Sequence, residues 1–257
     1  MGSTAKVVVV LGASAVGLAA TALPSNALQI FTDFDPNGDA SVNLLTTTGI
    51  PNSSAAETAF LTQLVGTGTE TFESFANGTS GPLAIMFPGA GTATLSGSGV
   101  INSVPAGQTN GSGRYGVSPT NYWEVVAGSS GSFNINFSDP IAAFGFYGID
   151  IGDFQGTLSL VFDNGNIATQ AIPTAPINQA DGSVLYWGII TDPSEGDISS
   201  ISFQTTIGSG DVFAFDNFTI GSREQVADVP GPLPLLGAGA AFGWSRRLRR
   251  RVKASVA

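Results

Sequence analysis

The first residues whose types and spacing could support chemistry form an Asp/Asn-rich segment near the start of the chain. In the sequence DFDPNGD, which begins at Asp33, oxygen-bearing side chains occupy alternate positions and a glycine follows at the sixth. Such oxygens are ligands that Ca²⁺ prefers. The twelfth position is Leu44 instead of Glu, which excludes an EF-hand and predicts a looser calcium loop. Its expected ligands are Asp33, Asp35, Asn37 and Asp39. The alternative is an Asx-rich turn, in which the side chains bond their own backbone.

A further candidate calcium ligand, Asp216, lies in the strand-like segment Val212–Ile220. Strict alternation predicts that the even-numbered residues of this segment share one face, with Phe213 and Phe215 on the other. Because both faces are apolar, we expect a central buried strand, where a carboxylate needs a cation or hydrogen-bond donors. The segment resembles the last strand of carbohydrate-binding jelly rolls, and that resemblance implies an Asp that holds a structural calcium. Backbone N–H groups are the alternative partners.

Aromatic residues form two adjacent pairs in predicted strands, Tyr122-Trp123 and Tyr186-Trp187. Neighbouring strand residues point to opposite faces, so each pair presents one ring on either face. Four such rings could form a platform on which sugar rings stack. Packing in the core is the alternative interpretation.

Catalysis would have to depend on carboxylates, because the chain contains no Cys and no His. This composition excludes thiol nucleophiles, imidazole bases, disulfides and Cys/His zinc sites. A pair of carboxylates can hydrolyse glycosides, and the residues of suitable type are Glu70, Glu73, Glu124, Asp150 and Asp153. Glu70 and Glu73 would point to opposite faces of a strand, and no Glu-x-Asp-x-x-Glu signature is present. We therefore predict a non-catalytic protein, with a carboxylate-dependent glycoside hydrolase of the extracellular matrix as the alternative.

Charge is distributed very unevenly along the chain. The whole sequence has a net charge of −10, but seven of its nine Lys and Arg residues lie near the ends. Between residues 28 and 228, only Arg114 and Arg223 oppose 19 acidic residues, which gives −17. Nucleic acid is excluded as a partner, because its phosphates require Lys and Arg.

The elements that must position these residues are short strands. Segments rich in Val, Ile, Phe and Thr alternate with Gly or Asn-Gly turns, which predicts a two-sheet antiparallel sandwich of jelly-roll type. One helix is expected, with Ser54 to Glu57 as a capping box and Phe60 and Leu64 on its apolar side. Residues 106–120 are expected to form a Gly-rich surface loop. The predicted strands are Thr69–Phe75, Leu83–Phe87, Thr92–Ile101, Tyr122–Val126, Ser132–Phe137, Ile141–Ile151, Thr157–Phe162, Ile167–Ile172, Val184–Thr191, Ile198–Thr205 and Val212–Ile220.

The start of the chain is typical of a secretory signal peptide. Lys6 precedes an apolar run from Val7 to Ala22, and small residues follow at Ser25 and Ala27. These features predict export with cleavage after Ala27, and they make residues 1–27 a leader.

The other end combines a proline motif, a short apolar segment and an arginine cluster. Pro230, Gly231 and Pro232 precede the apolar segment Leu233–Trp244, which as a helix would measure about 18 Å against a hydrocarbon core of about 30 Å. The cluster that follows satisfies the positive-inside rule and consists of Arg246, Arg247, Arg249, Arg250 and Arg251.

This three-part tail resembles the PEP-CTERM sorting signal of exported bacterial proteins, with Gly231 where the name-giving motif has Glu. The resemblance implies recognition by an exosortase-like enzyme, with Pro230, Gly231 and Pro232 as the sorting motif and the arginines as the stop signal. It also implies a transient inner-membrane segment in residues 229–257, removal of that segment, and delivery to the cell surface or matrix. A weak tail anchor that stays in the membrane is the alternative.

Together these features predict three parts: a leader at 1–27, a β-sandwich ectodomain at 28–228 and a sorting segment at 229–257. The expected function is that of an exported, non-catalytic surface protein whose sandwich binds calcium and polysaccharide.

Overall fold

A computed structural model describes residues 28–127, 133–151, 156–173, 179–205 and 211–227. The predicted leader, the sorting motif Pro230 to Pro232 and the arginines from Arg246 to Arg251 lie outside the described residues. Within the described ranges, no helix has the length and apolarity needed to cross a membrane.

The described residues form two antiparallel sheets packed face to face, as the turn-punctuated sequence predicted. We call them sheet A, with strand order β1-β11-β8-β13-β6-β5 and β2 paired to β13, and sheet B, with order β10-β9-β12-β7-β4-β3. The strands are β1 Gln29–Asp35, β2 Gly68–Glu70, β3 Leu83–Phe87, β4 Gly91–Gly97, β5 Val100–Ser103, β6 Asn121–Ala127, β7 Phe133–Ile141, β8 Ala143–Ile149, β9 Gly156–Phe162, β10 Ile167–Ala171, β11 Val184–Ile190, β12 Ile198–Thr205 and β13 Asp211–Gly221.

The chain crosses repeatedly between the sheets, which gives the sandwich its jelly-roll-like character. From β7 to β9 it runs from sheet B to sheet A and back, and β11, β12 and β13 alternate again. The apolar side chains that face inward from both sheets form the main core, where Phe133, Phe146, Phe203 and Phe215 contact one another as rings. Burial of these large rings is the dominant favourable term for a fold that has no disulfides.

Strand β1 was not among the predicted strands. Its sequence, QIFTDFD, ends in the acidic residues that suggested a calcium loop, yet Gln29 to Asp35 pair in register with Ile190 to Val184 of β11. Elsewhere the predicted strands correspond to observed ones, although Thr92–Ile101 is divided between β4 and β5 and Thr69–Phe75 is reduced to β2. Residues Asp163, Asn164 and Gly165 form the turn that connects β9 and β10, with Gly165 at a φ of 84°.

A bulge in β13 overturns the prediction that its even-numbered residues share one face. The register with β8 shifts between Asp216 and Thr219, and Asn217 adopts a φ of 50°, a left-handed conformation that Asn tolerates. One residue of offset exchanges the faces of a strand. As a result Phe213 and Phe215 before the bulge and Phe218 and Ile220 after it all enter the main core.

The predicted helix is present as α1, Pro51–Leu61, but it begins before the predicted capping box. Pro51 occupies the first turn, and the Ile50 side chain makes no capping bond. The carboxylate of Asp35 on β1 instead accepts the N–H of Asn52 at 3.1 Å, the N–H of Ser53 at 2.9 Å and the Ser53 hydroxyl. A charge at a helix N-terminus is favoured there by the helix dipole. This cap comes from a distant residue, which no local motif could have revealed.

Candidate functional site

The outer surfaces of the two sheets differ in whether other elements cover them. Over sheet A lie α1 and the loop of residues 104–120, and together they bury a second apolar cluster that includes Phe60, Tyr115, Tyr147 and Tyr186. We call this outer surface the covered face. Tyr115 is fully buried, so the Gly-rich loop contributes to the core and is not merely a surface crossing.

Phe60 of α1 is positioned by two glycines that lie opposite each other in sheet A. Gly145 of β8 pairs with Gly188 of β11, and a Cβ on either would approach the Phe60 ring to 2.9 Å. The absence of side chains at this pair makes room for the ring. The helix therefore sits directly on the backbone of the sheet.

The candidate ligand Asp216 lies on the covered face and is completely buried. Its Oδ2 accepts the N–H of Val117 at 2.7 Å and that of Ser118 at 2.9 Å, and its Oδ1 accepts the N–H of Asn217 at 2.7 Å. Burial raises its pKa well above the usual range, while these three bonds act in the opposite direction. The structure thus gives Asp216 the backbone partners that formed the alternative prediction, and the side chain fastens the 104–120 loop to the sheet.

The other four candidate calcium ligands are also engaged by nearby protein groups. Asp35 caps α1, Asp39 accepts the N–H and hydroxyl of Ser41, and the Asn37 amide donates to the carbonyls of Asp39 and Val42. Asp33 accepts the N–H of Phe34. From Asn37 to Ser41 the bonds are those of an Asx-rich turn.

The candidate calcium ligands do not converge. Asp35 on β1 and Asp216 on β13 are separated by β11 and β8. No group of three acidic side chains within the described ranges is arranged to hold a metal ion.

All four candidate stacking rings lie in the interior. Tyr122, Trp123 and Tyr186 have no exposed surface and Trp187 is 1 % exposed. The tryptophans belong to the main core, and the tyrosines belong to the cluster beneath α1 and the loop. A sugar cannot stack on a ring that other side chains already cover, so the platform prediction is wrong for these residues and core packing describes them.

The candidate catalytic carboxylates of the described residues also bond to other protein groups. Glu124 and Asp150 flank Arg114, whose Nε and Nη1 donate to them at 3.0 and 3.1 Å. Glu73 accepts the N–H groups of Thr120 and Asn121, and Glu70 accepts the N–H of Phe72. Asp153 lies outside the described residues. Two carboxylates that share one guanidinium are poor candidates for the acid and nucleophile of glycoside hydrolysis, which must act independently.

The second cation of the ectodomain, Arg223, also makes structural bonds. Its guanidinium contacts Asp197 and donates to the carbonyl and hydroxyl of Thr191. Cavities of about 300 and 470 Å³ lie on either side of it. Neither cavity is lined by an aromatic side chain, and the larger is acidic, with Asp139, Asp163 and Glu224.

The outer surface of sheet B, which we call the open face, has a composition that the sequence analysis did not identify. Apart from Asp139 near the end of β7, which lines the larger cavity, the outward side chains within the described residues of its six strands carry no charge. These uncharged side chains include Ala84 and Met86 on β3, Thr92, Thr94 and Ser96 on β4, Asn134 and Asn136 on β7, Thr157, Ser159 and Val161 on β9, Ile167 and Thr169 on β10, and Ser200, Ser202 and Gln204 on β12.

One line of residues on the open face is polar across five consecutive strands. Cross-strand pairing joins Thr169 to Ser159, Ser159 to Ser202, Ser202 to Asn134, and Asn134 to Ser96. We call these five residues the hydroxyl-amide row. At about 4.8 Å between strands, the row is about 19 Å long. In β4, β7 and β12, Ser, Thr or Asn alternates with buried apolar residues. This alternation is the sequence signal that could have revealed the hydroxyl-amide row.

Comparisons with known proteins give no family assignment. No protein-family model and no curated protein matches the chain. Solved structures that resemble it include the K2 cleaved adhesin domain of Lys-gingipain, with 12 % identity and a TM-score of 0.38 over 60 % of this chain and 97 % of that one.

Two carbohydrate-binding modules are among the other similar structures. The CBM22-1 xylan-binding domain of Xyn10C from Paenibacillus barcinonensis has 12 % identity and a TM-score of 0.35, over 63 % of this chain and 95 % of that one. The family 11 module of the Clostridium thermocellum cellulase Lic26A-Cel5E has 12 % identity and a TM-score of 0.29, over 62 % and 95 %. Similarities at these TM-scores support no inference about the ligand of this chain.

Proposed function

We propose that this chain is an exported, non-catalytic surface protein whose β-sandwich binds polysaccharide through the open face. The observation that carries the proposal is the hydroxyl-amide row, which presents hydrogen-bonding groups on the one outer surface that neither α1 nor the 104–120 loop covers. Sugars are recognised through such hydroxyl and amide groups, which both donate and accept.

The candidate carboxylates support the non-catalytic part of the proposal. Glu124 and Asp150 bond to Arg114, and Glu73 bonds to backbone N–H groups, so each has a structural partner. A glycoside hydrolase needs one carboxyl group that holds a proton for the leaving group and one that remains ionised beside the sugar.

The binding proposal is tested by electrophoresis of the full chain through native gels that contain a polysaccharide. We expect slower migration in at least one gel relative to a gel without polymer, with a non-binding protein run beside it to correct for sieving. Unchanged migration with neutral and acidic polysaccharides alike contradicts binding.

Export and sorting rest on the sequence of the two ends. The proposal is that an exosortase-like enzyme removes the tail and that the sandwich reaches the cell surface or matrix. Mass spectrometry of the protein isolated from its native cells tests this step. Loss of the peptide from Arg246 to Arg251 is expected, and its retention in the surface-exposed protein supports a permanent tail anchor instead.

Calcium remains a separate prediction of the sequence, and polysaccharide binding does not depend on it. Thermal unfolding of the full chain with added CaCl₂ and with a chelator measures it directly, because a ligand that binds the folded state raises the midpoint. The five candidate side chains already bond to protein groups, and an unchanged midpoint would contradict the calcium prediction. A midpoint that rises with calcium would show that these acidic residues reorganise around the ion.

A further inference from the structure

We infer that the polysaccharide is uncharged and extended, and that it lies across the strands of the open face along the hydroxyl-amide row. This inference rests on the proposed function and specifies the class of polymer and its direction on the sheet.

The negative charge of the protein favours a neutral polymer. Residues 28–228 carry a net charge of −17, which repels an acidic polysaccharide. Both arginines of the described ranges are held by carboxylates, Arg114 by Glu124 and Asp150, and Arg223 by Asp197. Neither lies among the side chains of the open face, so an anionic group bound there would find no cation. An uncharged, hydroxyl-rich polymer is not repelled by the acidic residues and needs no cation as a partner.

The spacing of the hydroxyl-amide row indicates the direction in which the polymer lies on the sheet. Across the strands, polar side chains recur about every 4.8 Å, whereas along one face of a strand they recur about every 6.7 Å. The cross-strand repeat is the better match to the advance of one pyranose ring in an extended chain. A polymer in this direction therefore meets a new hydroxyl or amide with each sugar.

The length of the row selects an extended polymer. Thr169 and Ser96 lie four strand intervals apart, at about 19 Å. A straight chain contacts all five strands at once, whereas a coiled or highly flexible chain would lose much more conformational entropy to do so.

The test compares polymers that differ in one property at a time. Hydroxyethylcellulose and carboxymethylcellulose share a backbone but differ in charge, and dextran is neutral but flexible. We expect the full chain to be retarded in affinity gels by hydroxyethylcellulose and at most weakly by the other two. Equal or stronger retardation by carboxymethylcellulose or dextran overturns the inference but leaves polysaccharide binding established. Absence of retardation by all three, and by arabinoxylan and glucomannan, overturns the inference and contradicts the proposed function.

Variants locate the polymer on the sheet. The double variant Asn134→Ala/Ser202→Ala removes two hydrogen-bonding groups from the middle of the row, and we expect it to weaken binding roughly tenfold. Asn77→Ala, in the exposed turn between β2 and β3, is the matched control and should bind as the unmodified chain does. Unchanged binding by the double variant overturns the placement.

The ends of the row test the direction. Thr169→Ala and Ser96→Ala should each weaken binding of the long polymer, whereas Gln204→Ala lies outside the row and should have the smaller effect. A larger effect of Gln204→Ala than of both end variants indicates a polymer that runs along β12, and it overturns the proposed direction.

Discussion

The two outer faces of the sandwich have the same strand architecture but opposite roles. The covered face of sheet A uses aromatic side chains and buried acidic groups to fasten α1 and the 104–120 loop. The open face of sheet B carries the hydroxyl-amide row together with exposed apolar side chains such as Met86 and Ile167. The large aromatic and acidic residues that suggest a binding site in the sequence therefore belong to internal packing. Small polar side chains of Ser, Thr and Asn residues lie on the surface that is accessible to a ligand. If this contrast is correct, substitutions on the covered face will change stability, and substitutions on the open face will change binding.

The largest effect is expected from Phe60→Ala on the covered face. Truncation of this fully buried ring leaves a cavity above Gly145 and Gly188 and should lower the free energy of unfolding by about 3–5 kcal/mol. Urea denaturation measures this change in the free energy of unfolding. Val65→Ala, at a site that is 64 % exposed, serves as the control and should change it by less than about 0.5 kcal/mol. Similar small effects of both variants would show that the helix is not anchored through Phe60.

The next largest effect is expected from Asp216→Asn. An amide cannot accept bonds on both sides as the carboxyl group does for Val117, Ser118 and Asn217, so one buried N–H is left opposite an NH₂ group. We expect a loss of about 1–3 kcal/mol in denaturant unfolding at pH 7. The exposed Asp33→Asn is the matched substitution and should be nearly neutral. Equal losses would contradict the specific role of Asp216.

Two tyrosines of the covered face should respond differently to replacement by Phe. The Tyr147 hydroxyl donates to Glu57 at 2.7 Å, so Tyr147→Phe should cost about 1 kcal/mol or slightly more. The Tyr186 hydroxyl is buried without a partner among the described residues, so Tyr186→Phe should leave stability unchanged or raise it by up to about 1 kcal/mol. Denaturant midpoints of the two variants measured side by side test this. Destabilisation by Tyr186→Phe would indicate a bound water or another partner.

A pH effect is expected from Glu57 on the covered face. Burial raises its pKa above the ordinary 4.5, and the Tyr147 bond opposes this. The folded state therefore retains the proton longer than the unfolded state does. The resulting stabilisation is full below the ordinary value and is lost as the pH rises through the raised one. Thermal midpoints of Glu57→Gln should depend less on pH above 4.5 than those of the unmodified chain. Parallel curves would show that Glu57 contributes no such linkage.

The smallest effect on stability is expected on the open face. Asn134→Ala/Ser202→Ala alters side chains at the surface and should change the unfolding free energy by less than about 0.5 kcal/mol, while binding falls as proposed above. Circular dichroism melts measure this. A large loss of stability would show that the row has a structural role, and the contrast between the faces would then fail.

Much of the architecture was predictable because hydrophobic periodicity is local. The limits of β12, Ile198–Thr205, agree with the prediction, and the β9–β10 hairpin follows from its Asp-Asn-Gly turn. The errors arose where a residue depends on a distant partner. Asp35 pairs with Val184 of β11 and caps α1 instead of forming a calcium loop, and Phe218 faces the core because of the bulge at Asn217. Neither fact is encoded in the neighbouring residues alone.

The candidate site was less predictable than the fold. The sequence analysis selected Asp216, Trp123 and Trp187 because such side chains can bind metals or sugars. All three are buried in the structure. Ser96, Asn134 and Ser202 are common residue types and have no distinctive motif. Their alignment across β4, β7 and β12 depends on strand register, which joins residues more than 30 positions apart.

The amino-acid sequence by itself determined the absence of thiol and imidazole chemistry, the concentration of negative charge between the ends, and the sandwich class, since composition and alternation are properties of the linear chain. Only the tertiary structure decided which side chains remain accessible. Burial depends on what packs over each face, and here a helix and a loop from elsewhere in the sequence cover one sheet and leave the other exposed to solvent.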